Sequence, residues 1–179
     1  MRAPEQIVEE VHVQPGECCL MTRPANLRTV LGSCVGITFR VPRLGIGALC
    51  HPMLPHCPVK RLGDREGNRY VDCAIREMAR QLNSLGASRA ETQVKLFGGA
   101  DVLAVTDGRS RPTVGKLNSE MALRTLGEEG FSIAASSLGG ISGVQIQFRT
   151  DTGEVFLRRL DGCEAKGRSK SRRQYDRSQ

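Results

Sequence analysis

Tryptophan is absent from this 179-residue chain, and only two Tyr and five Phe are present. So few rings exclude a base-stacking platform for single-stranded nucleic acid, which needs several exposed aromatics. Histidine is also scarce, with three residues, His12, His51 and His56. No apolar run approaches the roughly 20 residues of a membrane-spanning helix. The opening MRAPEQIVEE has no apolar core of a secretion signal. The expectation is a cytoplasmic protein without membrane insertion.

Positive charge is in excess. Lys and Arg number 26 against 19 Asp and Glu, a formal net charge of +7. Lys166, Arg168, Lys170, Arg172, Arg173 and Arg177 stand against Glu164 and Asp176, so more than half of that excess sits in the last sixteen residues. This stretch has almost no apolar residue and reads as a disordered basic tail, residues 164–179, behind a single domain, residues 1–163. Charge therefore gives no reason to expect a nucleic-acid-binding domain. The cysteines are seven, an odd number at irregular spacing. In a reducing compartment they are expected as thiols. Cys50-His51 and His56-Cys57 offer zinc-type donors, but adjacent donors do not readily face one ion, so no metal and no cofactor is expected.

The periodicity predicts strands at Ile7–Val13, Val35–Phe39, Gly45–His51, Val94–Phe97, Phe131–Ser136, Val144–Phe148 and Val155–Leu160. Thr150-Asp151-Thr152-Gly153 marks a hairpin between the last two. Tyr70, Ala74, Met78 and Leu82 recur every four residues and predict a helix over 69–85, stopped at Gly86. A second helix is expected over 114–129, with Leu117, Met121 and Leu126 inward and Gly130 as its stop. Residues 57–68 read as a loop. The fold class expected is α/β (α+β), a single-domain layered sandwich with a mostly antiparallel β-sheet and two main helices.

The chemistry-bearing residues lie in the first third of the chain. Leu31-Gly32-Ser33-Cys34-Val35-Gly36 sets a cysteine among small residues at the entrance of a strand, which exposes sulfur and backbone N–H groups. A thiol needs a base to become a strong nucleophile, most often histidine. If residues 35–39 and 45–50 pair as a hairpin, the start of the first strand lies beside the end of the second, and Cys34 neighbours His51. Alternation sends Cys50 to the opposite face, into the core. Cys73 and Cys163 read as core or bland, and the vicinal Cys18-Cys19 pair carries no role.

Thr29-Val30-Leu31-Gly32-Ser33-Cys34-Val35 and Gly47-Ala48-Leu49-Cys50-His51-Pro52-Met53-Leu54-Pro55 together resemble the bacterial chemoreceptor glutamine deamidases, the CheD family. Tyr70-Val71-Asp72-Cys73-Ala74-Ile75, Lys95-Leu96-Phe97-Gly98-Gly99-Ala100, Leu138-Gly139-Gly140 and Thr152-Gly153-Glu154-Val155 extend the resemblance over about residues 7 to 160. It implies a layered α/β hydrolase that converts glutamine side chains of methyl-accepting chemotaxis receptors to glutamate, releasing ammonia. It implies Cys34 as nucleophile, His51 as base and Thr29 as the residue that orients the imidazole. It also brings a CheC-type chemotaxis phosphatase into consideration as partner. Two segments depart from the family's usual pattern: Ser142-Gly143-Val144-Gln145 after the glycine pair, and Gly115-Lys116-Leu117-Asn118 at the second helix.

A primary carboxamide is a poor electrophile, and a covalent thioester divides its hydrolysis into two easier steps. Backbone N–H groups around Gly32, Ser33 and Cys34 are the expected oxyanion donors. Phe97-Gly98-Gly99 is either part of the substrate wall or an ordinary strand-to-loop turn. A non-catalytic binding partner of the receptor or the phosphatase is the alternative to the enzyme.

Overall fold

A computed structural model describes residues 8–58, 65–101 and 112–160. In chain order the strands are β1 (Glu9–His12), β2 (Cys18–Met21), β3 (Ala25–Leu31), β4 (Val35–Val41), β5 (Ile46–Cys50), β6 (Gln93–Gly98), β7 (Ile133–Leu138), β8 (Val144–Arg149) and β9 (Val155–Arg159). Two α-helices accompany them, α1 (Val71–Ser84) between β5 and β6, and α2 (Val114–Glu128) between β6 and β7. The strands form a four-stranded sheet, β1-β3-β8-β9, and a five-stranded sheet, β2-β5-β4-β6-β7. Five of the pairings are antiparallel; β1 with β3 and β6 with β7 run parallel. The expected sandwich is therefore present, built on two sheets.

Side-chain alternation shows how the layers stack. Ile46, Ala48 and Cys50 of β5 share a buried cluster with Val35, Ile37 and Phe39 of β4, with Ile75, Met78 and Leu82 of α1, and with Ala122 and Leu126 of α2. Leu49 of β5 and Phe97 of β6 point the other way, into a second cluster with Leu27 and Leu31 of β3 and Ile146 and Phe148 of β8. The order is helices, five-stranded sheet, four-stranded sheet. That position explains β4, VGITFRV, which is buried on both faces and reads as a nearly continuous apolar run. Burying each large side chain, such as Met78 or Phe148, contributes about 1.5–3 kcal/mol.

Helix α1 follows its four-residue repeat. Tyr70 supplies no side-chain cap. Asp72 in the first turn compensates, its Oδ1 accepting the N–H groups of Cys73 at 2.8 Å and Cys57 at 3.1 Å. Gly86, at φ 79°, ends the helix as expected. Helix α2 is capped by Thr113 Oγ1, which accepts the N–H of Lys116, and Gly130 at φ 76° follows its end.

Its inner face differs from expectation. Leu126 is buried, but Met121 is half-buried and Leu117 is exposed. Gly115, Asn118, Ala122 and Thr125 point inward instead. The reason is close backbone approach: a Cβ on Gly115 would lie 2.6 Å from the carbonyl oxygens of both Gly99 and Ala100. Only a stripe of small and polar side chains fits there, and a hydrophobic pattern does not reveal it.

Strands β2 and β3 are further findings that the sequence pattern did not provide. The first strand is shorter than expected and is an edge strand, with Ile7 outside the described residues. Cys163 and the basic tail, residues 164–179, also lie outside them.

Candidate active site

Strand β3 belongs to the four-stranded sheet and β4 to the five-stranded one. The chain crosses between the sheets through Gly32, Ser33 and Cys34. Cys34 thus stands at the sheet-to-sheet step, packed against the inter-sheet cluster and half-buried. The β4–β5 hairpin pairs Ile37 with Cys50, and the Val35 N–H continues that register to the Pro52 carbonyl at 3.3 Å. Along this line His51 falls opposite Gly36, and Cys34 opposite Met53. Cys34 and His51 are then diagonal neighbours on one face, the spacing that long side chains reach across. Gly36 opposes the imidazole with no side chain of its own, and a Cβ there would press to 2.7 Å on Leu31.

His51 is 1% exposed. Its Nδ1 lies 2.7 Å from Thr29 Oγ1, and Thr29 Oγ1 lies 2.7 Å from the carbonyl oxygen of Val13. A hydroxyl has a single proton. The Val13 carbonyl can only accept, so it takes that proton, and Thr29 must accept from Nδ1–H. The imidazole is thereby fixed as the Nδ1–H tautomer. Its Nε2, a buried atom with no hydrogen-bond partner among the described residues, carries a free lone pair. Burial holds the His51 pKa below its ordinary 6.5, the Val13 backbone contact opposing in part. Burial likewise raises the Cys34 thiol above 9.0, opposed by the thiol's own backbone N–H. Burial thus disfavours the charged form of both groups.

Thr29 sits in a strand whose inward positions are otherwise apolar: Ala25, Leu27 and Leu31. That alternation is a signal the sequence held, once β3 is recognised as a strand. Val13 left no signal, because it contributes a main-chain atom.

The crossover is held through three consecutive carbonyls. Gly32 O accepts from Ala100 N at 2.9 Å, and Cys34 O accepts from Gly99 N at 2.8 Å. Ser33 O accepts from Asn118 Nδ2 at 2.9 Å. Gly98 and Gly99 have φ of 92° and 65°, a region that side-chain-bearing residues rarely adopt. A Cβ on Gly98 would lie 2.4 Å from Cys34 O. These glycines let the end of β6 press against the crossover from behind, and the Gly99 N–H is committed to Cys34 O. Phe97 is packed in the inter-sheet cluster beside Leu31 and Cys34.

The other cysteine–histidine pairs separate. Cys50 is fully buried on the helix side of β5, opposite Cys18 of β2. His56 Nδ1 contacts Asp72 Oδ2 at 2.7 Å near the start of α1. Cys57 and Cys73 are buried there, their N–H groups bound to the same carboxylate.

A family model described as CheD chemotactic sensory transduction matches residues 53–159. A protein of Geobacter sulfurreducens named probable chemoreceptor glutamine deamidase CheD 2 is 40% identical over 165 residues, spanning 92% of this chain and 99% of its own length. A probable chemoreceptor glutamine deamidase CheD of Maridesulfovibrio salexigens is 33% identical over 159 residues, spanning 86% and 94%. Among solved structures, the Bacillus licheniformis hypothetical protein YfiH aligns with a TM-score of 0.42 at 11% identity, over 76% of this chain and 61% of that one.

Proposed function

The chain belongs to the CheD family, and on that footing we propose that it hydrolyses glutamine side chains of methyl-accepting chemotaxis receptors to glutamate, with Cys34 as nucleophile, His51 as general base and acid, and Thr29 as the residue that orients the imidazole. The observation that carries the reading is the free Nε2 of His51, left as the basic nitrogen by the chain His51 Nδ1–H to Thr29 Oγ1–H to Val13 O.

In this scheme the Cys34 proton passes to His51 Nε2 as Sγ bonds to the amide carbon. The carbonyl electrons move to oxygen, and the oxyanion is met by backbone N–H groups of the crossover, each worth about 3–4 kcal/mol of barrier when aligned. The oxyanion collapses, the C–N bond breaks, and His51 returns the proton to the departing nitrogen, which leaves as ammonia. A water then gives its proton to Nε2 and its oxygen to the thioester carbon. The C–S bond breaks, the proton returns to Sγ, and glutamate is released. A CheC-type phosphatase is proposed as a regulatory partner, with the receptor as substrate.

The test is mass spectrometry of receptor cytoplasmic fragments incubated with the wild-type chain, Cys34→Ala and His51→Ala. The expected outcome is a gain of about one dalton at particular glutamines, as amide hydrolysis requires, with the wild-type chain alone. The same gain with either variant overturns the mechanism, and no gain with any overturns the activity.

A further inference from the structure

Asn118 is wholly out of water, yet it lies on the face of a helix that packs toward the sheet. Its two polar atoms are used unequally. Nδ2 donates to Ser33 O and to Met53 O, both at 2.9 Å, while Oδ1 is buried with no partner among the described residues. The assignment of the two atoms is chemically forced, because carbonyl oxygens only accept. A fully buried amide with one unpaired acceptor carries a cost, which its two bonds to main-chain carbonyls offset. The two acceptors share one property: Ser33 immediately precedes Cys34, and Met53 lies two residues after His51.

The peptide group explains what the first bond does. A trans peptide is planar, with its C=O and N–H pointing in opposite directions. Ser33 O turned toward Asn118 therefore turns the Cys34 N–H away from α2. No cis peptide is present among the described residues to alter this. The neighbouring carbonyls, Gly32 O and Cys34 O, are held by the main chain at Ala100 and Gly99, so this is the one peptide of the crossover anchored by a side chain.

We propose that Asn118 is a positioning residue for the reaction: by clamping Ser33 O to Met53 O it locks the Ser33–Cys34 peptide with its N–H toward the sulfur and oxyanion side, in register with the strand end that carries His51. The assignment of a reaction rests on the deamidase reading; the clamp itself does not. Substrate and reacting atoms are not touched by Asn118. Its effect passes through a peptide plane, so its loss leaves Cys34 and His51 present but the donor free to turn.

The experiment compares the wild-type chain with Asn118→Ala, the isosteric Asn118→Asp, which cannot donate when ionised, and Leu126→Ala, which weakens α2 packing away from the crossover. Two readouts are taken on folded protein. The first is the pH midpoint of Cys34 alkylation by iodoacetamide, followed by mass spectrometry at that cysteine, and it needs no substrate. Losing the N–H that favours the thiolate should raise this midpoint by at least about 0.5 unit in both Asn118 variants. Leu126→Ala should lower the melting temperature and leave the midpoint in place. The second is steady-state deamidation of receptor fragments. There kcat should fall about tenfold or more in the Asn118 variants, with KM changed less than about threefold, as expected for a group acting on transition-state alignment.

An unmoved midpoint in folded Asn118→Ala overturns the clamp, as does a shift of equal size in Leu126→Ala. Should both Asn118 variants fail to fold, the wild-type chain labelled with 15N-cysteine answers the same question. The Cys34 amide proton must shift in step with titration of its thiol, and an amide indifferent to that titration overturns the proposal. If the wild-type chain deamidates nothing, the deamidase reading fails, and the alkylation midpoint still decides the clamp.

Discussion

Thr29 Oγ1 stands 2.7 Å from His51 Nδ1 while giving its only proton to Val13 O. This single relationship joins the two sheets, since Thr29 is on β3 and His51 follows β5. It also selects the tautomer of the imidazole. The order of bonds matters more than their number: the main-chain carbonyl claims the hydroxyl proton, and the histidine must supply the next.

Replacing Thr29 by Val tests that order. The isosteric side chain keeps the packing but removes the hydroxyl that bridges Nδ1 and Val13 O, at a cost of about 1–3 kcal/mol. Denaturant unfolding should show that loss. Deamidation kcat should drop about 10- to 100-fold, the size expected when the partner that orients a functional histidine is removed. A Thr29→Val chain with full turnover would rule out the orienting role. Thr29→Ser, which retains the hydroxyl, should recover most of the rate.

The pH dependence follows from the two shifts. His51 is held below 6.5, so its neutral, basic form persists further into acid than an ordinary imidazole. Cys34 is raised above 9.0, so the thiol keeps its proton at neutral pH. The reactive pairing is therefore neutral thiol with neutral imidazole. Activity is present above the His51 pKa and is lost as pH falls through it, with the acid limb of kcat/KM below 6.5. Alkylation of Cys34 should keep climbing beyond pH 9.0. A flat alkylation rate down to about pH 5 would instead indicate a preformed thiolate–imidazolium pair.

Gly98→Ala is expected to be costly at both levels. The backbone there has φ 92°, and the new methyl would meet Cys34 O at 2.4 Å. Strain of this kind costs on the order of 1–3 kcal/mol. The melting temperature should fall, and because the displaced atom belongs to the residue proposed as nucleophile, turnover should fall further than the loss of folded protein accounts for. Gly139→Ala is the comparison. That residue also has positive φ, but a Cβ there meets nothing within 4 Å, so stability should fall while turnover per folded molecule holds. Equal effects on turnover from both substitutions would refute the proposed contact.

How much of this was legible beforehand depends on the kind of signal. The four-residue repeat of Tyr70, Ala74, Met78 and Leu82 announces α1, because one apolar stripe faces the sheet. The segments around Val35–Phe39 and Gly45–His51 announce a buried antiparallel pair, and the hairpin's register follows from it. Strand β3 is harder to read: Ala25, Leu27 and Leu31 alternate with polar Asn26 and Arg28, but Thr29 is a polar residue facing inward and Val30 an apolar one facing out. Hydrophobicity alone points Leu117 inward on α2, whereas the helix approaches the backbone too closely to admit it.

The sequence by itself determined the elements and the local chemistry. Small residues around Cys34 open a crossover, and a histidine ends the strand pairing with the one that crossover enters. Local preference and side-chain period are short-range properties, so they can be read along the chain. Only the tertiary structure decided which nitrogen of His51 is free and which way the Ser33–Cys34 peptide faces. The first depends on Thr29 in the other sheet and on a carbonyl at Val13; the second depends on Asn118, 85 residues from Ser33. A hydrogen bond has a direction and a single proton to assign, and that assignment exists only once distant partners are brought within about 3 Å of one another.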